Sequence, residues 1–235
     1  MTATSSFATV PACYRKGARR TWHQRRRHRA VVQMLQGMQG EVLDYGCGCG
    51  DLTFAISRTH LVQGVDVDAE RVAFAAQEYA PLRFSRCEPN HLAFPDQSFA
   101  IVVSAAVIHF VPHPVQHVRE AYRVLRDTGR LLIMCSNILY VRNAVRRFLG
   151  RQGATTSLWI PSEDEVSELL GREGFEIEAR SYFYDPPFEG WKNLGDACTG
   201  MIQQVLSLLR VRKTCNYFLL RARKRFAVGT RARPT

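Results

Sequence analysis

No stretch of the 235-residue chain approaches the roughly 18 unbroken apolar residues that a membrane-spanning helix requires. The opening MTATSSFATVPACYRKGARR also lacks the apolar run of a secretion signal. Together these absences set the expectation of a soluble, cytoplasmic protein. Zinc-type and thioredoxin-type cysteine pairs are missing too. Of seven cysteines only Cys47 and Cys49 stand close, with one residue between them instead of two, and no second Cys/His pair lies at matching spacing. No metal site is expected. An odd number of scattered cysteines argues against a disulfide framework, so the thiols are expected to be reduced and buried. No internal repeat or low-complexity linker interrupts a chain that is 46% hydrophobic, which suits one domain around one core.

Acidic residues are absent from both ends. Residues 1–40 hold eight Lys/Arg and no acid, and residues 210–235 hold nine and no acid. Fifteen of the 32 basic residues then remain in the middle against all 21 acidic ones, so the net charge of +11 belongs to the terminal segments. Those segments suit a solvated face and a tail; contact with nucleic-acid phosphates or an anionic membrane surface is the alternative.

What is present is an alternation of strands and helices. Short apolar runs at 41–45, 61–66, 82–86, 99–105 and 130–136 read as strands, and DAERVAFAAQEYA and PVQHVREAYRVLRD between them read as helices. Asp68 and Pro114 suit helix starts, as an N-cap acid and a first-turn proline. A helix near 162–173, a strand near 175–184, an amphipathic helix near 193–211 and a last strand at 214–223 follow. This alternation predicts an α/β fold with a mostly parallel sheet covered by helices.

The stretch EVLDYGCGCGDLTFAI (41–56) is the turn from the first strand into the first helix of that sheet. Glycines at 46, 48 and 50 allow torsions closed to other residues and let a ligand lie against the main chain. The spacing is not the dinucleotide fingerprint G-x-G-x-x-G. The third glycine comes one residue early, and Asp44 sits two residues before the first. Asp66, at the end of the second strand, stands where an acid accepts from a ribose diol.

VLDYGCGCGDLT, VQGVDVDAERVAFA, CEPNHLAFPDQSFAIVVSAAVIHF and REAYRVLRDTGRLLI, taken in this order, resemble the class I S-adenosylmethionine-dependent methyltransferases of small-molecule type. The resemblance covers about residues 40–136, and GFEIEARSYF and NYFLLRARK look like that family's sixth and seventh strands. It implies a Rossmann-like three-layer sandwich around a seven-stranded, mostly parallel sheet whose last strand is antiparallel. Its cofactor would be S-adenosylmethionine. Asp44 and the backbone of Gly46, Cys47, Gly48 and Gly50 would hold the methionine half, Asp66 the ribose hydroxyls, and Val67 one face of the adenine. Glu88 with Pro89 would meet the adenine amino edge, and the Ser104 carbonyl the methionine ammonium. Each residue also has a plain structural role open to it: Asp44 as a helix cap, Asp66 as a turn opener, Val67 as core. Cys49, Ala100, Glu88 and the turn RDTGR depart from the family pattern, where Thr, an acid, Asp and Pro-Gly are usual.

Within this resemblance the chain reads as a single domain over 1–235. A basic helical segment at 1–40 precedes the cofactor core at 41–136; an insert with substrate-side loops and the last strands occupies 137–225, and a basic tail 226–235. Methyl transfer needs mainly alignment, and a base only for some acceptors. His109 is the candidate base, with packing in the pocket wall as its other role; His113 and His117 follow it. Tyr14, Trp22, Tyr140, Trp159, Tyr182, Tyr184, Phe188 and Trp191 are candidates to roof an apolar or aromatic small-molecule acceptor, with core packing as the competing explanation. A monomer or weak dimer is expected. The alternative function is a catalytically silent relative whose basic termini bind nucleic acid or a membrane surface.

Overall fold

The structure is a computed structural model, and it describes residues 22–137, 158–183, 205 and 215–225. The chain divides into two compact units, Met1–Gly37 and Met38–Thr235. In the first unit, α1 (Trp22–Leu35) carries a run of arginines and no acid in its first turn.

The second unit contains β1 (Val42–Tyr45), α2 (Asp51–Ile56), β2 (Val62–Asp66), α3 (Ala69–Glu78), β3 (Arg83–Arg86), β4 (Phe99–Ala105), α4 (Pro114–Val124), β5 (Leu125–Ser136), α5 (Glu163–Arg172), β6 (Phe175–Phe183) and β7 (Tyr217–Lys224). Seven strands form one sheet in the order β3-β2-β1-β4-β5-β7-β6. Strands β1 to β5 pair in parallel, and β7 runs antiparallel between β5 and β6. Both the count and the antiparallel last strand agree with the sequence reading. From β1 the chain steps outward through β2 to β3, then returns to β4 and steps the other way. Right-handed crossovers therefore set α2 and α3 on one face and α4 on the other.

Helix starts follow local chemistry. The Asp68 side chain accepts from Glu70 N and Arg71 N at the head of α3, and Pro114 opens α4. Ser162 and Glu165 close a reciprocal capping box at α5. The core packs Leu43, Val102, Leu131, Ile133, Phe218 and Leu220 of the central strands with Val118, Ala121 and Val124 of α4 and Val166 and Leu170 of α5. Burial of each of the larger of these side chains contributes about 1.5–3 kcal/mol.

The last strand begins at Tyr217 and not at 214, and the end of the fourth helix also differs from expectation. The fourth helix ends at Val124, and β5 begins at once: Leu125 pairs with Phe99, after which the register slips to Ile101 opposite Arg130. RDTGR is thus an irregularity within the strand. Gly129 makes it possible, since a Cβ there would stand 2.8 Å from the Arg126 carbonyl oxygen. The helix expected near 193–211 lies outside the described residues except at Val205.

Candidate functional site

Strand order reverses between β1 and β4, and in open α/β sheets the crevice at the carboxyl ends of such strands is where ligands bind. The glycine loop 46–50 begins at the end of β1. Gly46 (φ +89°) is packed so tightly that a Cβ would come within 2.3 Å of Val107 Cγ2, in the segment after β4. Gly48 (φ +54°) is the opposite case: nothing lies within 4 Å of the place a Cβ would occupy. The loop therefore presents a bare, open face of main chain.

Asp66 shapes that face from β2. Its Oδ2 accepts from Gly48 N at 2.8 Å and its Oδ1 from Asp68 N at 3.0 Å, so one carboxylate ties the loop to the head of α3. Gly46 N and Cys47 N donate to the Val65 carbonyl at 2.7 and 2.9 Å. Beneath the loop, Asp44 is buried and accepts from Thr53 Oγ1 at 2.6 Å. Burial pushes the Asp44 carboxyl up to about 7; the Thr53 hydrogen bond opposes this and nearby Asp66 adds to it.

The family model described as "Methyltransferase domain" matches residues 43–133. These residues form a class I S-adenosylmethionine-dependent methyltransferase domain. A probable S-adenosylmethionine-dependent methyltransferase of Mycolicibacterium smegmatis is 32% identical over 164 residues, which are 65% of this chain and 59% of that protein. The 27-O-demethylrifamycin SV methyltransferase of Amycolatopsis mediterranei is 30% identical over 178 residues, 70% of this chain and 64% of that one. The matches thus span less than two thirds of either relative. Among solved structures, a putative methyltransferase of Haloferax volcanii, in a complex with the Trm112 activator, superposes with a TM-score of 0.71. It is 18% identical, and the match covers 93% of this chain and 95% of that one. This last likeness is one of fold.

Most of the remaining residues singled out from sequence lie at or just beyond the carboxyl ends of β1 to β4. Val67 is half-buried against the core. Glu88 projects outward, with a side chain 68% exposed and 3.7 Å from Arg86, and Pro89 beside it is exposed. Ser104 is buried at the end of β4, with Oγ 2.9 Å from His117 Nε2; His117 in turn stacks on Tyr45 at 4.0 Å. Cys47 and Cys49 are free and buried, and among the described residues no group of His, Cys, Asp and Glu is placed to hold a metal. No helix among them is long and apolar enough to cross a membrane.

His109 sits where expected but is already engaged. Its Nε2 accepts from Ser136 N at 2.7 Å, and its carbonyl accepts from Leu158 N at 2.7 Å. An Nε2 that accepts carries no proton, so the hydrogen is on Nδ1, which is buried without a partner. Burial lowers this imidazole to about 4, so it is neutral at pH 7. Of the aromatics expected to roof an acceptor, Trp159 and Tyr182 pack against the core, and the Tyr182 hydroxyl donates to Glu163 at 3.1 Å. Tyr14, Tyr140, Tyr184, Phe188 and Trp191 lie outside the described residues, as does the side chain of Trp22.

Three participants went unnoticed in the sequence: Thr53 under Asp44, and the pair Glu120–Arg123 on α4. The one signal for Thr53 is its place in the first turn of the helix after a glycine loop. For Glu120 and Arg123 it is an acid and an arginine three residues apart on the face that carries His117.

Proposed function

We propose that this chain transfers the methyl group of S-adenosylmethionine to a small-molecule acceptor in the crevice between β1 and β4. The observation that carries the reading is the Gly48 cradle: an open, side-chain-free surface whose amide is fixed by the carboxylate of Asp66. The name of the Amycolatopsis relative, whose acceptor is a demethylrifamycin, supports a small-molecule acceptor.

The cofactor, when bound, supplies an electrophilic methyl group on a positively charged sulfur. The chain supplies binding, alignment and charge balance. Asp44 and the main chain of Gly46, Cys47, Gly48 and Gly50 would hold the methionine half, and Ser104 would offer its carbonyl to the ammonium. Asp66 keeps lone pairs for the ribose hydroxyls beyond those taken by Gly48 and Asp68. Val67 would cover one face of the base, with Glu88 and Pro89 at its edge. His109 enters as a neutral donor: its Nε2 lone pair is committed to Ser136 N–H, which leaves Nδ1–H to orient an oxygen of the acceptor. A base is not required of it for acceptors that lose their proton to water.

Isothermal calorimetry with S-adenosylhomocysteine tests the binding half, with micromolar to sub-millimolar affinity expected. Absence of heat at millimolar ligand from folded protein would end the proposal. Radiolabelled cofactor incubated with metabolite extracts then identifies the acceptor class by the labelled product.

A further inference from the structure

Residues 87–98 cross from β3 to β4 beside the crevice and carry Glu88 and Pro89. His91 N donates to the Glu88 carbonyl at 3.1 Å, closing a turn at 88–91. Directly after it, Leu92 is buried with no named strand alongside, and buried main-chain groups left without partners are costly. Helix α4 provides the partners. Glu120 Oε1 accepts from Leu92 N at 2.6 Å, Arg123 Nη2 donates to the Leu92 carbonyl at 2.9 Å, and Nη1 donates to the Phe94 carbonyl at 2.8 Å. The same guanidinium binds Glu120 through Nε (3.0 Å) and Nη2 (2.7 Å), and Asp96 through Nη1 (2.7 Å). Each of these bonds involves a charged group, the stronger kind, and the planar fork of arginine fixes their directions together.

Glu88 itself is fastened by little. Its carboxylate is exposed, and an ion pair at 3.7 Å to an exposed Arg86 holds it weakly. The placement of that carboxylate at the crevice therefore depends on the main chain beneath it, which α4 holds.

We propose that Glu120 and Arg123 are a positioning pair for the base-reading turn, and that through Glu88 they set the preference for a 6-amino purine over a 6-oxo purine. A carboxylate accepts from an exocyclic amino group and repels a carbonyl oxygen, so the preference depends on where the turn stands. This inference rests on the cofactor-binding reading above, with Glu88 at the edge of the base.

The test uses the full chain with Arg123→Lys and Glu120→Gln, and with Arg119→Gln as control. Arg119 lies on the same helix but pairs with Glu173 at 2.7 Å, away from the turn. Affinities for S-adenosylhomocysteine and S-inosylhomocysteine are measured by calorimetry, and amide exchange by mass spectrometry. Wild type is expected to prefer the adenosyl ligand by about ten-fold or more, the scale of one hydrogen bond to a charged group. Arg123→Lys should reduce that preference to within about three-fold and should speed exchange in the 90–98 peptide, with peptides from β4 and β5 unchanged. Lysine keeps the charge but not the fork. Arg119→Gln should alter neither measurement. Equal weakening of both ligands would mean a general structural role and would overturn the proposal, as would unchanged exchange at 90–98. Should Arg123→Lys fail to fold, Glu120→Gln, which keeps an oxygen for Leu92 N–H, is read by the same criteria. Wild type binding neither ligand defeats the methyltransferase reading and this inference with it; wild type binding well, with a preference the variants retain, defeats this inference alone.

Discussion

With the cofactor held as proposed above, the Asp44–Thr53 pair should make its affinity depend on pH near neutrality. Asp44 is buried, and its carboxyl is pushed from 3.8 up to about 7, chiefly by burial, with Asp66 adding to the rise. Because the folded value lies above the unfolded one, the free protein keeps a proton that the unfolded chain releases. The stability this contributes is present below about pH 4 and is lost as pH rises to about 7, by about 1.4 kcal/mol per pH unit. A bound cation reverses the preference, since the sulfonium and ammonium of the cofactor favour the ionised carboxylate. Binding then releases the proton, and affinity at pH 6 should be about ten-fold below that at pH 8. Replacing Thr53 with Val keeps the shape and removes the donor at 2.6 Å. A hydrogen bond to a charged group contributes about 1.5–3 kcal/mol, so the carboxyl should climb a further one to two pH units and affinity at pH 7 should fall by about five- to fifty-fold. Calorimetry in buffers of different ionisation enthalpy counts the proton released. Asp44→Asn separates this proton from the amino group of the ligand and should flatten the curve. Affinity independent of pH between 6 and 8, or a Thr53→Val curve that overlies wild type, would refute the reasoning.

Asp66→Ala should weaken S-adenosylhomocysteine by ten-fold or more, because it removes the tie to Gly48 and, in the proposed binding mode, the ribose acceptor, whereas His109→Ala should leave that affinity nearly unchanged and lower turnover; calorimetry and initial rates decide. Gly46→Ala should destabilise the fold by about 1–3 kcal/mol in urea titration, since its Cβ meets Val107 at 2.3 Å in a left-handed backbone. Burial lowers His109 to about 4 and His117 to about 3, so each contributes stability that is present above 6.5 and lost as pH falls below it. Between about pH 4.5 and 6 these two groups outweigh the opposite contribution of Asp44 by one proton, so stability should drop by about 1.4 kcal/mol per pH unit; His117→Asn should bring the slope near zero.

The alternation of elements was legible because each inner strand is a short apolar run bounded by Gly, Asp or Pro, and a strand buried on both faces has little else to be. The start of β5 was not. LRDTGR has the composition of a turn, and only the pairing of Leu125 with Phe99 across the sheet makes it strand. At the site, residues declared by spacing along the chain, such as the glycines and Asp66, were readable; those defined by a partner far away were not. Glu120 and Arg123 look like an ordinary i,i+3 ion pair until Leu92, 28 residues earlier, is seen to use both. The position of His109 was legible, but its tautomer is set by the amide of Ser136, 27 residues on.

The cysteines of the glycine loop fit the same division of labour. A Cβ on Gly64 of β2 would stand 2.9 Å from both Cβ and Sγ of Cys47, so the thiol fills the space this glycine leaves. Burial pushes the thiols of Cys47 and Cys49 up, and that of Cys87 up to about 12, with the Asp66 charge adding to each. They are therefore protonated at neutral pH. The thiolate is the nucleophilic form of cysteine, and a thiolate beside an electrophilic methyl group would compete with the acceptor. Keeping the three thiols neutral lets small, polarizable side chains pack around the loop as uncharged groups, and leaves the open main chain at Gly48 free of a reactive side chain.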